Sequence, residues 1–590
     1  MKTTNNFARL AVTAGLTAAM ALGNVVAPAA MVFAEGAGST VTFVDVDYST
    51  SSTYKGIQIF KATVSAADGA KTVSNIEWAS DAVRAAVVAA IQAKDASYTS
   101  ENAQDAADWL SANAGVTGTD SKVASDNVLS LIAAKLNGND EWKETTAGKA
   151  SLSGLEAGYW LFLTATAGKP DGKSTDAFTS PVYAVIDGAS ATTVTPKKGV
   201  PTVEKKILDD ADAAGADVKG SDNWKDVADS QIGQEVNYRL TGTIASNYAT
   251  FSTYAYKFTD VLSSGLDYVD DSVEVYAKNG GTYSQIDESK YDVAWAANTL
   301  TVEFKVGDGK KGLKDVEGVT KDTQIVVFYR AKLNGKAVIG NAVEGNVGGN
   351  PNTVKLEYSN NPYAGGTGET IEDTVADFAF KLNLNKVDQG TEKGLAGAVF
   401  TIQSADANTA GQYVASKADD ATGVVAGQLV TVADANNLPE YVKFTSDNGG
   451  KIAVSGLDAG SYKVAEVQTP DDTKYTKADP FTFTISPTYD ETAMKMTGLT
   501  AAVSEADKGR SDIAFGTLDG SAGDNKLTGT DGTGADAATG EVTINVGNTK
   551  SVGLPITGLD GVTLTWVAGG AVLVIGVAHL IRSRRDESEE

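Results

Sequence analysis

The chain has 590 residues, 61 of them glycine, with no cysteine, one histidine and a formal charge of −26. No basic patch of the kind that neutralises nucleic-acid phosphates stands out, and disulfides are excluded as a means of stabilisation. The histidine, His579, falls in an apolar stretch near the C-terminus, so a Ser-His-Asp triad, a Cys-His pair and a His-based zinc site are all unavailable.

The N-terminus places Lys2 and Arg9 before a weakly apolar run that ends Val32-Phe33-Ala34. Positive charge, apolar run and small residues in that order predict a secretory signal at 1–34, with Glu35 as the first mature residue.

A first block, 39–195, opens with alternating strand patterns at Val41–Val44 and Gly56–Phe60. Helical spacing follows, at Ala103, Ala106, Ala107 and Leu110 and again at Val128, Leu131, Ile132 and Leu136. Strand-like runs at Ala157–Phe162 and Pro181–Ile186 close the block. The apolar stripes predict core faces, and no cluster of lysine, acid and amide emerges here. The block ends Thr195-Pro196-Lys197-Lys198; the proline keeps the chain extended and presents Lys197 between two domains.

The second block, 201–363, is strand-dominated: Val236, Tyr238 and Leu240 alternate, as do Val302, Phe304 and Val306, and Ile325–Tyr329 is continuously apolar. Val203, Lys205 and Ile207 share one face by the period of two. A lysine on a core face is costly unless paired or neutral. Asp260 lies inside the apolar strand Phe258–Leu262, and Asn360 shares a face with Val354, Leu356 and Tyr358. Asn352 has the same parity and is the alternative. Burial lowers a lysine pKa and raises a carboxyl pKa. Lys205, Asp260 and the asparagine are therefore the parts of an intramolecular isopeptide bond. The Gly-rich 364–368 reads as a linker.

In the third block, 373–550, Phe378, Phe380, Leu382 and Leu384 alternate and Lys386 continues the series. Glu466 and Asn548 lie in later strands, and the Gly/Asp-rich 518–540 reads as a surface loop. The fold class expected is mainly β, with tandem immunoglobulin-like sandwiches and added helices in the first domain. The C-terminus carries Leu554-Pro555-Ile556-Thr557-Gly558, an apolar stretch at 562–581 and a basic tail at 582–590. Twenty apolar residues at 1.5 Å rise match a hydrocarbon core of about 30 Å, and the arginines behind them hold the tail in the cytoplasm.

Leu554–Gly558 resembles the LPxTG signal of sortase substrates, and with the apolar span and basic tail in that order the chain resembles the backbone pilins of Gram-positive bacteria from signal to tail. The resemblance implies cleavage between Thr557 and Gly558 by a membrane-bound sortase. It further implies transfer of Thr557 to Lys197 of the next subunit. Thr195 stands where the family's pilin motif has an aromatic residue, and Lys198 is a possible substitute donor. Leu356–Pro362 is similar to the end of the isopeptide-forming domain of fimbrial shafts. The third block resembles a collagen-adhesin B-type domain, which implies Glu466 as the acid of a Lys386–Asn548 bond, although Val467 stands where threonine is usual.

A structural, non-enzymatic role without cofactor follows from this resemblance. The implied partners are pilus-specific and housekeeping sortases, other copies of the chain, accessory pilins, peptidoglycan and host surface ligands. The implied location is the cell wall, after a transient stay of the precursor in the plasma membrane. A monomeric wall-anchored adhesin is the alternative. A two-carboxylate glycosidase has no motif to single out a pair from 75 acidic residues. No metal ligand is singled out; Asp45 with Asp47 and the acidic 520s–530s are open as weak calcium sites but lack EF-hand spacing.

Overall fold

The computed structural model describes residues 38–551, apart from 46–47, 49, 68–69, 117–121, 214–217, 342–346, 519–526 and 528–529. The expected signal at 1–34, the sorting pentapeptide 554–558, the apolar span 562–581 and the tail 582–590 lie outside the described residues, as does Asp47. Among the described residues no helix is long and apolar enough to cross a membrane.

The first domain contains strands β1 (Ser39–Phe43), β2 (Thr53–Ala67) and β3 (Ala70–Trp78), then helices α1 (Asp81–Lys94), α2 (Ala103–Asn113) and α3 (Val128–Leu136). Strands β4 (Ser151–Leu155), β5 (Gly158–Thr166), β6 (Val182–Ile186) and β7 (Thr192–Val194) complete it. The sheet β3-β2-β5-β6 is apolar on both faces. One face packs on the helices through Ile57, Ile59 and Leu161. The other packs through Tyr54, Trp160 and Phe162 on the small sheet β4-β1-β7. That double burial explains why β5 reads as an unbroken hydrophobic run rather than an alternation. The helices begin where Ser80, Asn102 and Asn127 accept hydrogen bonds from first-turn amides.

The second domain is a two-sheet sandwich. Its strands include β8 (Val203–Leu208), β9 (Val227–Asp229), β10 (Glu235–Gly242), β11 (Tyr256–Leu262), β12 (Glu274–Asn279), β13 (Thr299–Phe304), β14 (Gln324–Leu333) and β15 (Asn350–Ser359). One sheet contains β12-β14-β10-β8. The other contains β9, then β16 (Asp373–Phe378), then β15-β11-β13. The strict alternation of β10, β11, β13 and β15 is the half-buried pattern of a sandwich.

The Gly-rich 364–368 is not a domain boundary. Thr367–Glu369 pairs back onto β15, and β16 pairs antiparallel with β15 and parallel with β9. Glycines that read as a linker make a turn here, because the strands beyond them complete the same sheet.

The third domain begins at β17 (Phe380–Asp388) and continues with β18 (Val399–Ser404), β19 (Lys451–Leu457), β20 (Gly460–Gln468), β21 (Phe481–Asp490), β22 (Lys495–Val503), β23 (Ile513–Phe515) and β24 (Glu541–Asn548). One sheet runs β19-β17-β24-β23 and the facing sheet includes β18-β20-β21-β22. Its first and last strands, β17 and β24, are parallel neighbours. Within the expected loop 518–540, Ala535–Asp536 pairs with β24.

Candidate functional site

In the third domain the alternation of β17 aims Lys386 into the core, and parallel pairing with β24 sets Lys386 opposite Val546 and Asp388 opposite Asn548. Glu466 arrives from the facing sheet on β20. Lys386, Glu466 and Asn548 are all buried. The Lys386 Nζ donates to Asn548 Oδ1 in very close contact and lies 3.4 Å from the Glu466 carboxylate. Asn548 Nδ2 donates to Glu466 Oε1 at 3.0 Å, and the Ala478 amide donates to Oε2 at 2.7 Å. The Phe400 ring lies 5.6 Å from the amine. Burial pushes the Lys386 amine down to about 8, with the Glu466 charge opposing. The structure brings the trio expected from the sequence together, an amine, a carboxyl and a carboxamide in one pocket.

In the second domain Lys205 on β8 and Asp260 on β11 face each other across the sandwich, both fully buried. The Lys205 Nζ donates to both Asp260 oxygens at 2.6 Å and to the Tyr329 hydroxyl at 2.9 Å. Tyr329 donates to Asp260 Oδ2 at 2.6 Å. Burial pushes Lys205 down to about 8 and Asp260 up, each shift opposed by the charge of the other.

The asparagine brought to this group is Asn352 and not Asn360. Asn352 is buried, its Nδ2 donates to the Tyr329 hydroxyl at 2.6 Å, and its Oδ1 has no hydrogen-bond partner. Asn360 has the correct parity but the wrong position along the strand. Asp260 pairs opposite Val354, so Asn360 lies about 20 Å further along β15 and beyond its end. There its Nδ2 donates to the Asp176 carbonyl at 3.2 Å and its own carbonyl accepts from the Phe178 amide at 2.7 Å, joining the first and second domains. Tyr329, the hub of the group, was missed in the sequence. Its place in a continuous apolar run hid the fact that its hydroxyl needs a partner when buried.

Between these domains Lys197 is half-buried and forms a β-bridge with Ser180; its amide donates to Thr179 Oγ1 at 2.6 Å and its carbonyl accepts from the Ser180 amide at 2.9 Å. Lys198 points the other way, into the first domain, its side chain only 6% exposed. Its amine reaches Asp45 Oδ2 at 2.6 Å and the Tyr54 hydroxyl at 3.2 Å, and makes a closer contact with Asp176 Oδ2. This cluster was also missed, although Val194, Pro196 and Lys198 share the parity that buries Val194. No cluster of three or more ligating residues suited to a metal ion occurs among the described residues.

Residues 380–499 match the family model described as SpaA, prealbumin-like fold domain. Residues 232–362 match that of Gram-positive pilin backbone subunit 2, Cna-B-like domain. Among curated proteins the chain is similar to the trypsin-resistant surface T6 protein of Streptococcus pyogenes serotype M6, at 24% identity over 292 residues, 46% of this chain and 44% of that protein. The match thus spans less than half the length of that relative. Among solved structures the T6 backbone pilin of serotype M6 Streptococcus pyogenes overlays with a TM-score of 0.48 at 15% identity, covering 88% of this chain and 100% of that one. The full-length major pilin SpaD from Corynebacterium diphtheriae gives 0.40 at 16% identity, covering 88% and 98%.

Proposed function

We propose that this chain, two of whose sandwiches carry Gram-positive pilin domain families, is the structural backbone subunit of a covalently polymerised cell-surface pilus, hardened by two internal Lys–Asn amide bonds. The observation that carries this reading is the contact of the Lys386 amine with the Asn548 carboxamide beside Glu466, in a core closed to solvent. A chain with no cysteine gains a covalent tie between the first and last strands of its third domain from ordinary side chains alone.

The chemistry needs no cofactor. Neutral Lys386 attacks Cγ of Asn548. Glu466 gives a proton to the carboxamide nitrogen and takes one from the attacking amine, ammonia leaves, and the amide remains. Lys205, Asn352 and Asp260 do the same in the second domain. There burial favours the neutral amine and the protonated carboxyl that the step requires, and fixed proximity supplies the rate. Closing a loop of 162 residues between Lys386 and Asn548 stabilises the domain by about 5 kcal/mol in the chain-entropy picture of a disulfide. Tension applied along the shaft then crosses the second and third domains through covalent bonds.

Between subunits, sortase joins Thr557 to Lys197. The ion pairs that occupy the Lys198 amine inside the first domain support Lys197 over Lys198 as the donor. The test is a cell-wall extract separated by mass. A ladder of multimers that disappears with Lys197→Ala supports the reading. A single band from the unaltered chain overturns it in favour of a monomeric anchored adhesin.

A further inference from the structure

The first domain has a charge imbalance that calls for an explanation. Lys198 lies against two carboxylates, Asp45 and Asp176, with side-chain exposures of 6%, 14% and 0% respectively. One ammonium against two carboxylates, of which Asp176 is fully buried, leaves a negative charge uncompensated, and a buried carboxyl relieves that by holding a proton. Burial pushes Asp176 up, with the Lys198 charge and the Lys198 and Ser52 hydrogen bonds opposing. The Tyr54 hydroxyl donates to Asp45 Oδ2 at 2.6 Å, on the oxygen that Lys198 also reaches.

The arrangement parallels that of the second domain. In each, a buried lysine touches a fully buried aspartate and a tyrosine hydroxyl, and the tyrosine also contacts a second side chain with an acyl carbon. The second side chain is Asn352 in one domain and Asp45 in the other. Asp45 follows β1 and Lys198 follows β7, the parallel neighbour of β1. A bond between them would tie the start of the domain to its exit, as Lys386 and Asn548 do in the third domain.

We propose that Lys198 and Asp45 condense into a third internal amide bond, with Asp176 as the acid–base group and Tyr54 as the donor to the acyl oxygen. The ammonium proton passes through Asp176 to Asp45, leaving a neutral amine and a carboxylic acid. The Lys198 Nζ lone pair attacks Cγ of Asp45, and Tyr54 stabilises the oxygen of the tetrahedral adduct. Asp176 gives its proton to the departing hydroxyl and takes the second amine proton in its place. The Cγ–O bond breaks, one water leaves, and no outside reagent is consumed. The site opens on a surface cleft lined by Tyr48, Ser174, Pro196 and Val200, which gives the water an exit.

The experiment is peptide mapping of the full chain by mass spectrometry. The expected product is a branched peptide in which Lys198 is joined to Asp45, one water lighter than its two parts. It should be absent after Asp45→Ala and strongly reduced after Asp176→Asn, while the Lys386–Asn548 branched peptide persists in both variants. That retained branch shows that the chain still folds, and it separates failure here from failure of the Lys–Asn bonds. Three results overturn the proposal: linear peptides with an unmodified Lys198, Lys198 joined to Asp176, or Lys198 joined to Thr557 of another subunit.

Discussion

Asn352 donates its side-chain amide to the Tyr329 hydroxyl at 2.6 Å, and the same hydroxyl donates to Asp260 at 2.6 Å. One tyrosine thus bridges an asparagine and an acid that sit on adjacent strands, β15 and β11, beneath the lysine of the facing sheet. The relationship decides which asparagine belongs to the site, and it leads to the first prediction.

Asn352→Ala should abolish the branched peptide containing Lys205, whereas Asn360→Ala should leave it intact. The first variant should also lose about 4–5 kcal/mol of stability through the open loop. Thermal unfolding of the second-domain transition, read together with intact mass, checks both. A branch that survives Asn352→Ala and disappears with Asn360→Ala would reverse the assignment.

Glu466→Gln removes the carboxyl between Lys386 and Asn548 while keeping a side chain of nearly the same volume. Lys386 then lies buried without an anionic partner, a costly state that favours the neutral amine. The amide bond should form far more slowly or not at all, leaving the chain heavier by one ammonia. Mass measured over days of incubation checks this; formation at the wild-type rate would remove Glu466 from the mechanism.

The junction of the second and third domains should respond to pH. Asp229 accepts from the Tyr489 hydroxyl at 2.8 Å and from the Ala459 amide at 3.1 Å, while the Ile232 amide donates to the Gly456 carbonyl at 3.0 Å. Burial pushes Asp229 and Asp377 up, and burial together with the Asp229 charge pushes Asp458 up. For an acid whose pKa is raised by docking, the docked state keeps protons that the open state releases. Docking is therefore strongest below the ordinary carboxylate range, near pH 4, weakens as pH rises towards the raised values, and is flat above them. Hydrogen exchange at the Ile232 amide, corrected for its intrinsic rate, should show protection falling with rising pH. Asp458→Asn should flatten the trend. Protection that grows with pH would contradict the sign.

Much of this was legible in the sequence because β-alternation is a strong signal where one face of a strand is buried. Lys386 is readable as a core lysine from three preceding apolar residues at the same parity, and the fold brings Glu466 and Asn548 to its amine. Lys205 and Asp260 followed from the same rule. Parity fixes the face of a strand but not the distance along it, so Asn352 and Asn360 stayed equivalent until the register of β11 with β15 was known. The strand Asp373–Phe378 was assigned to the third block because glycines precede it. Its hydrogen bonds to β15 and β9 are long-range contacts that no local pattern announces. Lys198 stands in the sequence as a substitute donor for a similar reason: its carboxylates come from Asp45 and Asp176, separated in sequence and joined only by the fold.

The most direct test of the central claim is the mass of the purified chain, with its termini defined by sequencing, together with a map of its branched peptides. The account predicts a deficit of two ammonia molecules, located as Lys205–Asn352 and Lys386–Asn548 branches; loss of a water at Lys198 is counted separately. A chain that weighs what its unmodified sequence requires, with all four side chains recovered in linear peptides, would contradict it.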